Sequence, residues 1–187
     1  MVAAGLVDIA PPSWDVTLDL VYGQADNFTG AVIYARPRCF LVDAAATCLE
    51  RAIHFAGEQD LRLVVTDAFR PSEAQWVLWS HTPDDRFLAH PERGSPHSRG
   101  VAVDVTLETA AGVRLDMGGP VDELTENARH DAPGITPGQR ANRLLLLGIM
   151  TAAGFDWYDA EWWHYQLFDP RRWPVLSDSE AGTGIMS

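Results

Sequence analysis

The sequence predicts a single α+β domain in which helices flank a small central antiparallel sheet. Stretches with apolar residues at helical spacing are separated by short apolar or alternating stretches, a pattern typical of mixed helices and strands. No repeat, low-complexity tract or long linker divides the 187 residues. A chain of this length fits one domain with one sizeable core. We therefore expect one domain over residues 1–187.

Local patterns place the elements along the chain. Apolar residues recur at helical spacing over 42–56, and a strongly apolar stretch after Pro137 stops at Gly154, a residue type that commonly ends helices. The expected elements are a helix over 42–56, a strand over 61–66, a second helix through Ala74 and Leu78, a loop over 81–90, a strand over 101–107, a long functional loop over 112–138, a helix over 136–152 and a strand over 162–168.

Charge and composition narrow the function classes. The net charge is −12, from 14 basic and 26 acidic residues, which argues against binding nucleic acid or anionic membranes because both rely on clustered Lys and Arg. The amino terminus lacks the basic region of a signal peptide, and no apolar run reaches the ~20 residues of a membrane span. Cys39 and Cys48 are expected to be two buried free thiols. These features predict a cytoplasmic protein.

The first motif with chemical content joins Ser95, His97 and Asp104. His97 is expected in a loop, Gly100 permits a tight backbone after it, and Asp104 follows on the strand over 101–107. The alternation of that strand sets Asp104 on the face opposite the valines. A carboxylate there must be solvated, paired or bound to metal, because burying it unpaired is costly. Considered alone, the spacing is explained equally well by a capped loop histidine and a structural aspartate.

The second motif is Glu161-Trp162-Trp163-His164. Two histidines and a carboxylate, with one open position, form a common catalytic zinc site, and a carboxylate near a ligand can act as its general base. The flanking aromatics would keep such a site dry. The alternative is a Trp-rich core strand whose histidine is merely hydrogen-bonded.

Taken together, the motifs resemble the D-alanyl-D-alanine dipeptidases of the vancomycin-resistance type. This group belongs to the zinc D-Ala-D-Ala peptidases, which share a zinc-site fold with the hedgehog signalling domain. The likeness extends in order and spacing over most of the chain. It is carried by residues 22–30, 66–71, 95–107, 117–122 and 154–165.

The resemblance implies a role for each matching residue of the catalytic centre. His97, Asp104 and His164 match the ligands of one Zn²⁺ ion, and Glu161 matches the general base that activates water and then protonates the leaving amine. Arg70 matches an arginine that stabilises the oxyanion, which suits a fixed guanidinium. The alternative for Arg70 is a surface ion pair, for instance with its near neighbour Asp67. The same ligands would also accept other divalent metals such as Co or Ni.

Three further matches concern the substrate. Ser95 matches a serine that binds the dipeptide carboxylate, and Asp122 matches an aspartate that, with Tyr22, binds the free ammonium. Each of the three, taken individually, is better explained as a turn or surface residue. Pro96 and Phe69 depart from the family's pattern, in which a small polar residue and a tyrosine are usual. The departures leave the preferred second residue of the substrate open.

The implied activity is hydrolysis of D-alanyl-D-alanine and related D,D-dipeptides to free amino acids, with a small dipeptide as the partner. The alternatives are a D,D-carboxypeptidase acting on muramyl peptides and a zinc-binding module without turnover. Whether the activity serves glycopeptide resistance or D-Ala recycling is left open, as is assembly into a homodimer.

Overall fold

A mixed five-stranded sheet organises the described part of the chain, residues 5–187 of a computed structural model. The predicted domain also includes residues 1–4, which lie outside the described part. The strands are β1 (Leu6–Asp8), β2 (Val16–Leu18), β3 (Phe40–Val42), β4 (Leu61–Asp67), β5 (Ala102–Thr109), β6 (Asp156–Tyr158) and β7 (Glu161–Gln166). The helices are α1 (Asp43–Gly57), α2 (Ser72–His81), α3 (Pro137–Ala153) and α4 (Asp178–Ala181).

The main sheet has the strand order β2-β4-β5-β7-β6. Strands β4, β5, β7 and β6 pair antiparallel, whereas β2 joins β4 in parallel at the edge. Strands β1 and β3 form a separate antiparallel pair. The predicted α+β class with a small antiparallel sheet is confirmed. The parallel edge strand was not predicted, because three residues are too few to show a periodic pattern.

The two long helices begin and end where the sequence signals predict. Thr136 and Gln139 form a reciprocal capping box at the start of α3, and Pro137 occupies its first turn. Gly154 ends α3 with a φ of 112°, a left-handed conformation that a residue with a Cβ rarely adopts. Helix α1 begins one residue later than predicted, with Asp43 in its first turn, where a negative charge is favourable.

Helices α1 and α3 cover one face of the sheet and leave the other face to the site. The valines of β5 pack with Leu49 of α1 and Leu146 of α3 in the main core. A second apolar cluster, which includes Tyr22, Phe69 and Leu78, packs around α2. The predicted strand and helix positions over 61–168 are confirmed within a few residues, and residues 110–136 form the long irregular loop expected there.

Two details differ from the expectations. Strand β5 is buried on both faces, because it lies in the middle of the sheet with helices on one side and loops on the other. Cys39 is buried, but Cys48 is only half-buried, and both are free thiols. Among the described residues, no helix combines the length and apolar character that crossing a membrane requires.

Candidate active site

Three side chains, two from the segment 97–104 and one from position 164, converge on one point. The Nε2 atom of His97 lies 3.1 Å from Nδ1 of His164 and 3.3 Å from Oδ1 of Asp104. The distance from His164 Nδ1 to the same Asp104 oxygen is 3.1 Å. These short distances make a compact triangle of two nitrogens and one oxygen. All three residues are buried.

The sheet and a short turn create this triangle. Asp104 of β5 and His164 of β7 are direct partners across the antiparallel pair, so their side chains share one face. His97 begins a single 3₁₀ turn that ends at Gly100, whose φ is 67°. A side chain on Gly100 would be strained there and would also approach Leu6. The predicted tight backbone after His97 is confirmed.

Both histidines are oriented by acceptors on their outer nitrogens. Nδ1 of His97 donates to the carbonyl of Ala68 at 2.8 Å, and Nε2 of His164 donates to the side-chain oxygen of Gln166 at 3.0 Å. Each bond assigns the proton to the outer nitrogen and leaves the inner nitrogen's lone pair pointing into the triangle. Metal-binding histidines are usually oriented in this way, by a hydrogen bond from the ring nitrogen that does not bind the metal.

The donor set fits zinc. Tetrahedral coordination at the usual bond lengths of about 2.0–2.1 Å gives ligand-to-ligand distances of about 3.3–3.4 Å. The three measured separations, 3.1, 3.1 and 3.3 Å, approach these values. Two imidazoles and one carboxylate could therefore supply three of the four ligands of a catalytic zinc site.

Glu161 lies beside the triangle rather than in it. Its Oε2 atom is 3.8 Å from Nδ1 of His164. Burial, opposed by His164 and reinforced by the charges of Asp104 and Asp122, raises the pKa of Glu161 to about 8. A carboxylate at this distance can exchange protons with a molecule held in the triangle's open position.

Arg70 is buried on the opposite side of Asp104. Its Nε donates to Asp67 at 2.9 Å and its Nη1 donates to Gln75 at 2.9 Å, while Nη2 lies 3.8 Å from the outer oxygen of Asp104. The guanidinium also lies over the ring of Tyr22, 5.0 Å from its centroid. The ion pair with Asp67 considered from the sequence is present, but it is buried and fixes the plane of the guanidinium beside the triangle.

Asp122, Tyr22 and Ser95 line the same cavity. Asp122 adopts a left-handed φ of 60°, and its Oδ2 atom is buried without a partner. Burial and the charge of Asp104 raise the pKa of Asp122 to about 6, against the effects of Arg70 and Tyr22. Ser95 is buried and its Oγ accepts the backbone N–H of His97 at 3.2 Å. Because Asp122 belongs to the long loop over 110–136, this loop places a carboxylate in the site.

The cavity has a volume of about 250 Å³. All eight residues singled out from the sequence line it. Its remaining wall comes from the loop after α2, which contributes Phe87 and Leu88, together with Leu124 and Tyr158. The size suits a small ligand. The cavity is lined by the triangle of possible metal ligands, by the guanidinium of Arg70 and by further carboxyl groups.

The contacts that support Arg70 go beyond what the sequence predicted. Asp67 accepts from Arg70 and also from the hydroxyl of Tyr34 at 2.8 Å, and Gln75 donates to the carbonyl of Ala89 at 2.7 Å. Asp67 follows a β-bulge at the end of β4 and Gln75 lies on the inner face of α2. The sequence indicated Asp67 only as a surface partner of Arg70, and no local pattern distinguished Gln75 from the other polar residues of α2.

The remaining histidines lie outside the site. His54 is exposed near Glu58, and His81 and His90 make local hydrogen bonds. The ring of His130 packs against Trp157, and its Nε2 is buried without a partner. Burial lowers the pKa of His130 to about 4, so the ring is neutral near pH 7.

The family model and the relatives that match this chain all carry the name D-alanyl-D-alanine dipeptidase. A family model described as D-ala-D-ala dipeptidase, of the M15 peptidases, matches residues 2–178. The chain is 42% identical over 173 residues to the D-alanyl-D-alanine dipeptidase of Escherichia coli K12, covering 92% of this chain and 90% of that protein. It is 33% identical over 175 residues to the enzyme of that name from Enterococcus faecalis, covering 82% and 87%. It is 34% identical over 170 residues to the Streptomyces coelicolor enzyme, covering 80% and 84%.

Proposed function

The chain belongs to the D-ala-D-ala dipeptidase family of metallopeptidases, and we propose that it hydrolyses D-alanyl-D-alanine and related D,D-dipeptides to free amino acids with one zinc ion. The triangle of His97, Asp104 and His164 beside the carboxylate of Glu161 carries this proposal. Metal ligands alone would serve a structural site, whereas a nearby unligated carboxylate in an open cavity suits hydrolysis.

His97, Asp104 and His164 are the proposed ligands. Zinc, when bound, supplies Lewis acidity to the scissile carbonyl and lowers the pKa of a coordinated water towards ~7. The outer acceptors Ala68 and Gln166 hold the imidazoles in the ligating tautomer. These contacts support the ligand assignment independently of the family match.

Glu161 is the proposed general base. A side-chain oxygen of Glu161 takes the proton of the attacking water and then delivers it to the nitrogen of the leaving D-amino acid. Its position 3.8 Å from His164 brings the carboxylate near the open position without adding a fourth protein ligand. General acid–base transfer of this kind contributes typically ~10²–10⁴-fold to the rate.

Arg70 is proposed to stabilise the oxyanion that forms on the attacked carbonyl. A guanidinium has five N–H donors on three nitrogens. Asp67 contacts Nε at 2.9 Å and Nη2 at 2.8 Å, and Gln75 accepts from Nη1, so the plane of the group is fixed and two N–H donors are left over. A cation that is already oriented in a buried site stabilises developing negative charge without reorganising during the reaction. The buried network around Arg70 supports this role.

The two ends of the substrate are proposed to meet Ser95 and Asp122. Ser95 donates its hydroxyl hydrogen to the carboxylate of the dipeptide, and Asp122 with Tyr22 receives the ammonium. The buried Oδ2 of Asp122, which has no partner, supports this assignment because an unpaired polar atom in a closed wall is costly unless a ligand completes it. Both residues line the cavity of about 250 Å³, and one binding group for each end of the substrate would select dipeptides by length.

The biological setting follows from the substrate. Removing D-alanyl-D-alanine in the cytoplasm would deplete a cell-wall precursor, and hydrolysing the dipeptide from wall turnover would recover D-Ala. The free thiols of Cys39 and Cys48 fit a reducing compartment. A homodimer stays a prediction that the single chain does not address.

The decisive test compares D-Ala-D-Ala with N-acetyl-D-Ala-D-Ala, each with and without a chelator. We expect zinc-dependent cleavage of the free dipeptide and at least tenfold weaker kcat/KM for the acetylated one, because acetylation removes the ammonium that Asp122 binds. Equal cleavage of both would favour a D,D-carboxypeptidase. Zinc binding without turnover of either would favour a binding module.

A further inference from the structure

Arg143, on the inner face of α3, is among the most deeply buried charged residues in the described structure, with 1% of its surface exposed. Its Nε donates to the carbonyl of Met117 at 2.6 Å, and its Nη1 donates to the carbonyl of Arg129 at 2.7 Å. Burying a guanidinium is expensive unless its donors are satisfied. Arg143 therefore bonds two backbone carbonyls and no solvent through Nε and Nη1, while its Nη2 is buried without a partner.

The two carbonyls bracket the part of the long loop that enters the cavity. Residues 117–129 contain only a single 3₁₀ turn, and Asp122 lies between the two anchored ends. Asp122 needs this support because it adopts a left-handed φ of 60°, which costs energy in a residue other than glycine. Fixing both ends of a short segment restricts the conformations open to its middle.

Arg143 also contacts the strand that carries the proposed base. Its guanidinium lies over the ring of Trp162, 5.4 Å from the centroid, and Trp162 follows Glu161 directly on β7. One side chain thus contacts the loop that bears Asp122 and the strand that bears Glu161 and His164. A flat cation suits this position, because guanidinium groups stack on aromatic faces while donating in their own plane.

We propose that Arg143 is a positioning residue for substrate selection, holding residues 117–129 so that Asp122 meets the ammonium of the dipeptide. This inference rests on the proposed function of the site. Arg143 does not line the cavity, so it acts through Asp122 rather than on the substrate. Lysine cannot replace it, because one ammonium cannot reproduce the planar fork that meets two separate carbonyls.

A double-mutant cycle with D-Ala-D-Ala tests the proposal. We expect Arg143→Lys to lower kcat/KM at least tenfold, mainly through a higher KM. Asp122→Asn keeps an acceptor for the ammonium and retains measurable turnover. In the Asp122→Asn background, Arg143→Lys should add less than a twofold change. Effects that multiply in the double variant would overturn the proposal, because they would mean that Arg143 does not act through Asp122.

Arg140→Lys is the matched control. Arg140 lies one turn earlier on α3 and donates to the carbonyls of His130 and Ala132, just beyond the bracketed segment. We expect the KM of the Arg140→Lys variant for D-Ala-D-Ala to stay within twofold of the KM of the unmodified protein. An equal rise in KM for both variants would overturn the specific role of Arg143 in favour of general loosening of the loop.

Hydrogen–deuterium exchange separates this proposal from the proposed function. Arg143→Lys should speed amide exchange in residues 117–129 at least fivefold and leave β4 unchanged, whether or not the protein turns over a dipeptide. Unchanged exchange in that segment would overturn the anchoring. An unmodified protein without zinc-dependent dipeptidase activity would instead overturn the proposed function while the exchange result stood.

Discussion

Three carboxyl groups that line the cavity, those of Asp104, Asp122 and Glu161, differ in how their surroundings affect ionisation. Burial opposes ionisation of Asp104, but His97 and His164 outweigh it and lower its pKa below the usual range. Burial instead dominates for Asp122 and Glu161, whose pKa values rise to about 6 and about 8. A pKa near neutral pH suits Glu161 for taking up and then releasing a proton, whereas Asp122, with its lower pKa, is mainly ionised at neutral pH and can bind a cation.

Replacing Glu161 tests proton transfer at the scale of one residue. Glu161→Gln keeps the size of the side chain but cannot accept the water's proton, so we expect kcat to fall by ~10²–10⁴-fold. Zinc content, measured by elemental analysis, should remain one per chain because Glu161 is not in the ligand triangle. Steady-state hydrolysis of D-Ala-D-Ala measures the loss.

Glu50→Gln is the control for this substitution. Glu50 is exposed on α1, away from the cavity, so its variant should keep kcat within twofold. A Glu161→Gln protein that retains more than a tenth of the original kcat would show that another group handles the proton.

At the level of elements, the chain patterns predicted the positions of α1, β4, β5, α3 and β7. These positions were predictable because the periodicity of apolar residues is a local property of the sequence. Asp104 and His164 were recognisable because each places a polar group in a mainly apolar strand. The pairing that brings them together is a register of β5 with β7. Register depends on the whole sheet, so it could not be read from either strand alone.

The supporting contacts were harder to predict because they join elements far apart in the chain. Gln75 links Arg70 to the carbonyl of Ala89, and Arg143 reaches back to Met117. An arginine or glutamine on a helix is ordinarily a surface residue, and nothing in the local pattern distinguishes these two. The edge strand β2 was missed for a related reason, since three residues have no periodicity to detect.

The packing of α1 on the sheet gives a prediction at the scale of elements. Leu49 of α1 is fully buried, with 0% exposure, whereas Leu144 of α3 is 57% exposed. We expect Leu49→Ala to lower the free energy of unfolding by about 2–5 kcal/mol, because it removes buried contacts and leaves a cavity. Leu144→Ala should change it by less than about 0.5 kcal/mol. Urea unfolding measures both, and equal losses would contradict the assigned packing.

Over the whole molecule, the triangle connects the segment 97–104 with His164, which lies 60 residues beyond Asp104 in the chain. His97 comes from the turn before β5, Asp104 from β5 and His164 from β7, and none of these segments could hold a metal alone. The unfolded chain has no comparable preformed site, so metal binding is coupled to folding. A ligand that binds only the folded state stabilises it by about 2.7 kcal/mol at a hundred times its dissociation constant.

That coupling predicts how the melting temperature responds to metal removal. For a chain of this size, each kcal/mol corresponds to about 2–4 °C, so saturating zinc should raise Tm by about 5–10 °C over the chelated protein, as measured by calorimetry. His97→Ala should lose this shift, because it removes one of three ligands. His81→Ala should keep it, since His81 is exposed and bonds only its neighbour Thr82. A shift of equal size in both variants would mean that the stabilising zinc is bound somewhere other than at His97, Asp104 and His164.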